Sequence, residues 1–368
     1  MNEFRDIIVR AGSESYPVIL NRHRRKLFDV PGGSNTIVVI SNPTIYALHG
    51  KALVNRHLPK DRTVIPLMMG DGERFKTLRT VNALYDHFFD IGLERTDTVV
   101  AFGGGVVGDT CGYAAATFKR GIRLIHVPTT LLAMVDASIG SKVGVNHRLG
   151  KNQIGAFYPP QAVIIDPAWL VTLGSRETAG GAAEIIKAGM LSSERLLGAA
   201  VELSYEYIPV EREKWLAIIR EAIRFKAKIV SRDVFDTGIR MILNFGHTFG
   251  HAIETAEKYR RYRHGEAVLA GMAGALYLSR MVGLLSDKRL DRYLDYLRPW
   301  ARRLPPLRRD IDGYLAPMSV DKKNKDAKRV FVLLERIGRP KIQAVDSRSQ
   351  VAEAIAAMKE FVNSGGRR

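Results

Sequence analysis

Five short apolar runs in the first half of the chain alternate with stretches of helical periodicity, and this alternation restricts the fold most. The runs have strand length, are rich in β-branched residues and end near Gly, Asn, Pro or Asp. They are Thr36–Ile40, Val64–Met68, Thr98–Phe102, Arg123–Val127 and Ala162–Ile165. Continuous apolar strands separated by helices are typical of a parallel sheet covered on both faces. The first half is therefore predicted to be an α/β domain.

The pattern changes beyond Thr172. Residues 176–302 have helical periodicity almost throughout, with apolar side chains at spacings of three and four in Trp215–Val230 and Ala267–Leu284. A late strand or hairpin is predicted at Arg329–Leu334 and a final helix at Val351–Val362. We therefore predict two domains, an α/β domain at 1–175 and an α-helical domain at 176–368. A cleft between them is the expected place for a ligand.

Composition excludes several classes of protein. The 368 residues are 46% hydrophobic and 26% charged, which is typical of globular chains and excludes intrinsic disorder. One cysteine, Cys111, excludes a disulfide scaffold. No apolar run approaches the roughly 18 residues of a spanning helix, and the first residues do not resemble a secretory signal. We expect a cytoplasmic protein with no membrane partner.

The net charge of +18 indicates anionic partners. A phosphorylated substrate and a nucleic acid are the two alternatives. The basic clusters lack the aromatic interleaving of a nucleic-acid platform, and no recognised binding module is present. The sequence therefore favours a phosphorylated substrate and predicts no nucleic-acid partner.

A glycine-rich turn follows the predicted strand Thr98–Phe102. Gly103-Gly104-Gly105-Val106-Val107-Gly108-Asp109 precedes a helical stretch, a setting in which backbone N–H groups bind phosphate. The spacing is not the dinucleotide fingerprint, so a purely structural turn is an equal alternative for this motif alone. Asp71–Lys76 and Pro128–Thr130 follow two other strands and are expected at the same edge of the sheet. Together the three segments favour a dinucleotide site.

Histidines in the helical half suggest a metal centre. His247 and His251 are four residues apart on one helical face, His264 follows thirteen residues later, and Glu184 lies in an earlier helix. Zinc binds imidazole nitrogen and carboxylate oxygen, and catalytic sites use three protein ligands. The alternative is that these histidines are structural. Spacing alone leaves open which two histidines bind and which does not.

A polar tract lies between the two halves. Asp136 and Lys142 are followed by Asn146 and then by Lys151 and Asn152, interleaved with glycine. Ammonium and amide groups of this kind suit an anion or a polyol. A solvated loop is the alternative.

Eight motifs then reveal a resemblance that extends from about Asn42 to Gly338. In chain order they are DGERFK, GGGVVGD, PTTLLAMVDASIGSKVGVNH, GKNQIGAFYPP, AAEIIK, RMILNFGHTFGHAIE, HGEAV and DKKNKDAKRVFVLL. Together they resemble the 3-dehydroquinate synthases of the sugar phosphate cyclase superfamily. The resemblance implies an N-terminal nucleotide-binding α/β domain and an all-α C-terminal domain, a fold related to glycerol and iron-containing alcohol dehydrogenases. It also implies a homodimer.

The resemblance assigns site residues. It implies Zn²⁺ or Co²⁺ bound by Glu184, His247 and His264, with His251 left for the substrate. NAD contacts would be made by Asn42, Asp71, Glu73, Lys76, Gly104, Gly105, Val106, Asp109, Thr129, Thr130, Lys142, Lys151 and Thr172. Substrate contacts would be made by Asp136, Lys142, Asn152, Lys187, Lys226, Arg240, Asn244, His251 and Lys322 or Lys323. Arg120 would reach the substrate phosphate of the neighbouring subunit.

The implied reaction converts 3-deoxy-D-arabino-heptulosonate 7-phosphate to 3-dehydroquinate and phosphate, in the shikimate pathway of aromatic amino acid biosynthesis. Transient oxidation by NAD precedes β-elimination of phosphate, reduction, ring opening and aldol closure. The catalytic residues would be His251, Lys142, Lys187, Arg240, Asn244 and Asp136. Ser141, Ala188 and Arg263 depart from the family pattern, and Arg263 is placed to pair with Glu266 or an anion. The alternatives are a paralogous cyclase of the amino-dehydroquinate or valiolone type, or an NAD-dependent metal alcohol dehydrogenase.

Overall fold

The computed structural model describes residues 6–20, 36–202, 212–319 and 329–366, apart from the side chains of Arg56, Arg212 and Ser319. The chain forms two compact units. The first comprises Met1–Leu173 and Ile208–Asp236, and the second comprises Gly174–Tyr207 and Thr237–Arg368. Across the described ranges, no helix is both long and apolar enough to cross a lipid bilayer.

A seven-stranded sheet forms the centre of the first unit, as far as the described residues show. Its order is β1-β2-β9-β6-β5-β3-β4, and all neighbours pair in parallel except β1 and β2, which form an antiparallel hairpin. The five predicted strands are confirmed. The bounds are β1 Ile7–Ala11, β2 Glu14–Leu20, β3 Thr36–Ser41, β4 Thr63–Met68, β5 Thr98–Gly103, β6 Arg123–Pro128 and β9 Ala162–Ile165.

Helix α4 (Gly105–Thr117) fixes the glycine turn against the sheet. Its buried side chains include Val107, Cys111 and Ala114, which pack in one core with strand residues. Burial of the Val107 side chain stabilises the fold by about 1.5–3 kcal/mol. The other helices of this unit are α1 Pro43–Ile45, α2 Lys51–His57, α3 Leu78–Asp90 and α7 Arg212–Val230, of which α7 packs on β1.

The polar tract beyond Lys142 is a two-stranded antiparallel hairpin, not a solvated loop. Strands β7 (Lys142–His147) and β8 (Gly150–Phe157) pair closely. A Cβ at Gly144 would lie 2.5 Å from the backbone oxygen of Ile154, so only glycine allows this approach. The hairpin carries Lys142, Lys151 and Asn152, and Asn152 has a positive φ of 56°.

Helices dominate the second unit. The central one is α9, which is buried on nearly all sides and contacts α5, α8, α10 and α12. The predicted late strand or hairpin is confirmed, because β10 and β11 form an antiparallel hairpin that packs on α9. The bounds are α5 Ser175–Ser192, α6 Glu194–Glu202, α8 His247–Ala256, α9 His264–Met281, α10 Asp287–Ala301, α11 Ile311–Leu315, β10 Val330–Arg336, β11 Arg339–Ala344 and α12 Arg348–Asn363.

Candidate functional site

Three helices of the second unit bring two imidazoles and a carboxylate together. Helix α5 carries Glu184, His247 is the first residue of α8, and His264 is the first residue of α9. One ligand atom from each of the three side chains lies within 4.8 Å of the other two. Separate segments of the chain thus converge on one point, as a metal centre requires.

The surroundings of Glu184 fit a divalent cation. Its carboxylate is buried, with 3% of the residue exposed, and Oε1 has no hydrogen-bond partner among the described residues. The second oxygen, Oε2, pairs with the ammonium of Lys187 one turn further along α5. A buried carboxylate oxygen without a partner carries a large desolvation cost, which a bound cation would offset.

Two facing glycines set the distance between the helices that carry Glu184 and His264. A Cβ at Gly265 would lie 2.2 Å from the backbone oxygen of Gly180 and 2.4 Å from its Cα. These distances are too short for any side chain larger than hydrogen. The backbones of α5 and α9 therefore touch one turn before Glu184 and directly after His264.

A salt bridge holds the same two helices. Arg176 on α5 donates from Nε and Nη2 to both oxygens of Glu266 on α9, at 2.7 and 2.6 Å. Glu266 is buried and also accepts the backbone N–H of Arg263 at 2.9 Å, which caps α9. The guanidinium of Arg263 pairs instead with Glu177 on α5. The pairing of Arg263 with Glu266 is therefore made by its backbone.

Two further side chains of α8 lie beside the three ligand candidates. His251 and Glu254 follow His247 by four and seven residues, which places all three on one face of the helix. The ring centroids of His247 and His251 are 5.5 Å apart, and Glu254 Oε2 is 3.3 Å from His264 Nδ1. Glu254 was not among the residues predicted from the sequence, although its helical spacing from His247 and His251 was a usable signal.

Four loops meet at the carboxyl edge of the sheet in the first unit. Asn42 follows β3, Asp71 follows β4, Gly104 follows β5 and Thr129 follows β6. Asn42 Nδ2 donates to Asp71 Oδ1 at 3.1 Å, which joins two of the loops. The expectation that these segments share one edge is confirmed by the parallel pairing of the strands.

The glycine turn lines a small cavity at the start of α4. Gly104 is the N-cap residue, and Gly105 and Val106 begin the helix. A Cβ at Gly104 would come within 3.1 Å of Thr130 Cγ2, so a side chain here would crowd Thr130. Thr129 is buried, and its Oγ1 hydrogen-bonds to no described residue. A free helix N-terminus and an unused hydroxyl suit a phosphate.

Lys76 joins two other predicted contact residues, Asp109 and Asn152. Its buried ammonium lies 2.5 Å from Asp109 Oδ2 and 2.5 Å from Asn152 Oδ1. Burial raises the pKa of the Asp109 carboxyl, and the Lys76 ammonium acts against that shift. Asn146 Nδ2 donates to Glu73 Oε1 at 2.7 Å, so the hairpin β7-β8 is joined to the Asp71–Lys76 segment.

Two predicted anion-binding lysines of the first unit are paired with acids. Lys226 Nζ lies 2.5 Å from Asp136 Oδ1 and donates to the Asp136 backbone oxygen at 2.7 Å. Lys142 pairs with Asp236, and about half of its side chain is exposed. Each ammonium therefore already has a carboxylate that holds it in place.

The remaining predicted residues lie in varied settings. Arg240 is buried, whereas Asn244, four residues later in the same 3-10 segment, is exposed. Arg120 is exposed with a positive φ of 62°. Thr172 Oγ1 lies 2.7 Å from His49 Nε2, and burial lowers the pKa of His49. Lys322 and Lys323 lie outside the described residues.

The family is shown by comparison with known proteins. Two family models, described as 3-dehydroquinate synthase N-terminal and 3-dehydroquinate synthase C-terminal, match residues 66–180 and 181–324. A 3-dehydroquinate synthase from Pelotomaculum thermopropionicum is 39% identical over 369 residues, which cover 98% of each chain. The chain belongs to the 3-dehydroquinate synthase family. The resemblance inferred from the eight motifs is thereby confirmed.

Solved structures of related cyclases share the fold of this family member. A 2-epi-5-epi-valiolone synthase from Streptomyces hygroscopicus with NAD⁺ and Zn²⁺ bound is 27% identical, with a TM-score of 0.84 over 98% of this chain and 99% of that one. A 2-deoxy-scyllo-inosose synthase complexed with carbaglucose-6-phosphate, NAD⁺ and Co²⁺ is 26% identical, with a TM-score of 0.82 over 97% and 99%. Glycerol dehydrogenase from Schizosaccharomyces pombe, 16% identical with a TM-score of 0.63 over 99% of this chain and 93% of that one, shares the fold alone. The predicted fold class is confirmed.

Proposed function

We propose that this protein converts 3-deoxy-D-arabino-heptulosonate 7-phosphate to 3-dehydroquinate and phosphate. It would thereby serve the shikimate pathway, as a cytoplasmic enzyme. Membership of the 3-dehydroquinate synthase family supports this reaction, and the convergence of Glu184, His247 and His264 is the single structural observation that carries it.

We propose Zn²⁺ as the ion of the centre, since two imidazoles and one carboxylate are a catalytic zinc donor set that leaves a position for substrate. The ion would polarise a substrate hydroxyl and favour its deprotonation. Lys187, paired with Glu184, would hold the ligand carboxylate in place. His251, exposed beside His247, would move a proton at the substrate.

NAD is the proposed redox cofactor, which would accept a hydride and return it within one turnover. The start of α4 at Gly104 and the unused hydroxyl of Thr129 would bind its phosphates. Lys76, fixed between Asp109 and Asn152, would hold the edge of this pocket. Glu73, Thr130, Lys151 and Thr172 are the further proposed contacts.

The substrate is proposed to be bound mainly by cationic side chains. The proposed contacts are Lys142, Lys226, Arg240 and Lys187, together with Asp136, Asn152 and Asn244. A cationic group that is held by a carboxylate before the phosphate arrives needs little reorganisation to bind it. Arg120 is proposed to bind the substrate phosphate of a partner subunit, which makes the active form a homodimer.

Turnover with a catalytic amount of NAD⁺ tests the function. Purified protein loaded with Zn²⁺ is incubated with heptulosonate phosphate and NAD⁺ at a small fraction of the substrate concentration. Equal amounts of inorganic phosphate and 3-dehydroquinate, many per NAD⁺, are the expected products. Turnover of sedoheptulose 7-phosphate or glucose 6-phosphate instead would assign a paralogous cyclase activity. Accumulation of one NADH per substrate would assign a metal alcohol dehydrogenase.

A further inference from the structure

A buried carboxylate outside the three ligand candidates contacts one of them. Glu254 lies on α8, only 4% of the residue is exposed, and its Oε2 is 3.3 Å from Nδ1 of His264. The proposed reaction gives Glu254 no role. Burying a carboxylate costs free energy unless it is hydrogen-bonded, and the contact with His264 supplies such a bond. The question is what this contact does for His264.

The geometry of the contact determines the state of the imidazole. A carboxylate can only accept a hydrogen bond, so Nδ1 of His264 must carry the proton. In a neutral imidazole the lone pair is then on Nε2, which is the form that binds a metal. Carboxylates that accept from the second nitrogen of a metal-bound histidine fix both its tautomer and the direction of its ring.

We propose that Glu254 is a positioning residue of the metal centre, which holds the Nδ1–H of His264 so that Nε2 faces the ion. This inference rests on the metal centre proposed above. Helix α8 would then contribute twice, with His247 as a ligand and with Glu254 as the support of a ligand on α9. His247 and Glu254 are seven residues apart on α8, so the helix would fix the position of the ligand relative to that of the supporting carboxylate.

A direct ligand role for Glu254 is the competing possibility. Ligand atoms of His251, Glu254 and His264 also lie within 4.8 Å of one another. Two observations favour the positioning role. The first is that the Glu254 carboxylate already hydrogen-bonds to His264 through Oε2. The second is that Oε1 of Glu184 hydrogen-bonds to no described residue, which makes Glu184 the better ligand candidate.

Zinc affinity of the full-length apo-protein tests the proposal, measured by competition with a chelating dye. Glu254→Ala is expected to raise the zinc Kd about 10- to 100-fold. Glu254→Gln keeps an acceptor oxygen at the same place, so its Kd is expected to lie between those of the wild type and Glu254→Ala. Glu257→Gln is the matched control, because Glu257 is the next carboxylate along the chain and accepts from the hydroxyl of Tyr314 at 2.8 Å. Its zinc Kd is expected to equal that of the wild type.

The absorption spectrum of the Co²⁺-substituted protein adds a readout that a purely structural role would not change. Glu254→Ala is expected to shift the visible bands of the bound ion, and Glu257→Gln is expected to leave them unchanged. Wild-type zinc affinity and an unchanged cobalt spectrum in Glu254→Ala would overturn the positioning role alone. Complete loss of zinc in Glu254→Gln, to the level of Glu184→Gln, would make Glu254 a ligand and overturn it too. Failure of the wild type to bind zinc would overturn the metal centre itself. The melting temperature of each apo-protein identifies a variant that does not fold. If Glu254→Ala does not fold, the zinc Kd and cobalt spectrum of Glu254→Gln decide whether Glu254 positions His264.

Discussion

A methyl group at Gly265 is expected to separate the two helices that carry Glu184 and His264. The added Cβ would lie 2.2 Å from the backbone oxygen of Gly180, whereas ordinary van der Waals contact begins at 3.4 Å. One backbone must therefore retreat by about 1.2 Å, since no flexible side chain is available to move. The two hydrogen bonds from Arg176 to Glu266 hold the same helices together and resist this displacement.

The displacement acts directly on the proposed ligands. Gly265 follows His264 in sequence, and Glu184 lies one turn beyond Gly180. A misplacement of about 1 Å in a catalytic arrangement costs on the order of 100-fold in rate. Overpacking of a close contact costs about 1–3 kcal/mol of folding free energy. Gly265→Ala is therefore expected to lower activity far more than its loss of stability explains.

Gly180, the other residue of this contact, supplies the control variant Gly180→Ala. A Cβ at Gly180 would meet nothing closer than the Cα of Gly265 at 3.9 Å, so Gly180→Ala is expected to be tolerated. Zinc Kd, the rate of phosphate release and the urea midpoint are measured for both variants. Equal zinc affinity and equal rates in Gly265→Ala and Gly180→Ala would refute the reasoning, because the two changes would then be equivalent.

Three other changes probe separate parts of the molecule. Glu184→Gln is expected to lose bound zinc and at least about 100-fold in phosphate release, and retained zinc in elemental analysis would contradict the ligand set. Arg120→Ala is expected to raise KM for the phosphorylated substrate without changing the Kd of NAD, and an unchanged KM would count against its phosphate contact. Burial lowers the pKa of His126 from its ordinary value of 6.5 to about 4. The neutral imidazole therefore stabilises the fold fully above pH 6.5, and this stabilisation is lost as the pH falls towards 4. The loss between pH 7.5 and pH 5 is about 2 kcal/mol, and urea unfolding of His126→Gln should show a smaller pH dependence; identical slopes would contradict it.

The strands buried on both faces were predictable because their sequences are almost continuously apolar. β3 and β5 are buried along nearly their whole length, so no polar residue interrupts the pattern. β1 lies at the edge of the sheet and β2 lies beside it. Their buried residues alternate with exposed or half-buried ones, so their sequences are a weaker signal for a strand. A solvated loop was the alternative interpretation of the polar tract that forms β7 and β8, whose glycines allow the two strands to approach.

The candidate site was predictable where side-chain chemistry alone limits the choice. Imidazoles four residues apart and a glycine turn after a strand are visible in the sequence, and family motifs then single out Glu184, His247 and His264. The contacts that support these residues could not be predicted from the sequence, because they depend on packing between segments that are distant in the chain. Helical spacing shows that α7 is a helix but not that it packs on β1. Likewise, the contact of Gly180 with Gly265 joins residues 85 positions apart.

The position of the bound ion is the most direct test of the metal centre on which the proposed reaction depends. Crystals of the zinc-loaded protein, measured at the zinc absorption edge, would place the metal by its anomalous scattering. One peak is expected about 2.0–2.2 Å from Glu184, His247 and His264, with His251 outside the coordination shell. A peak bound by His251 and Glu254 instead, or no peak near the three ligands, would contradict it.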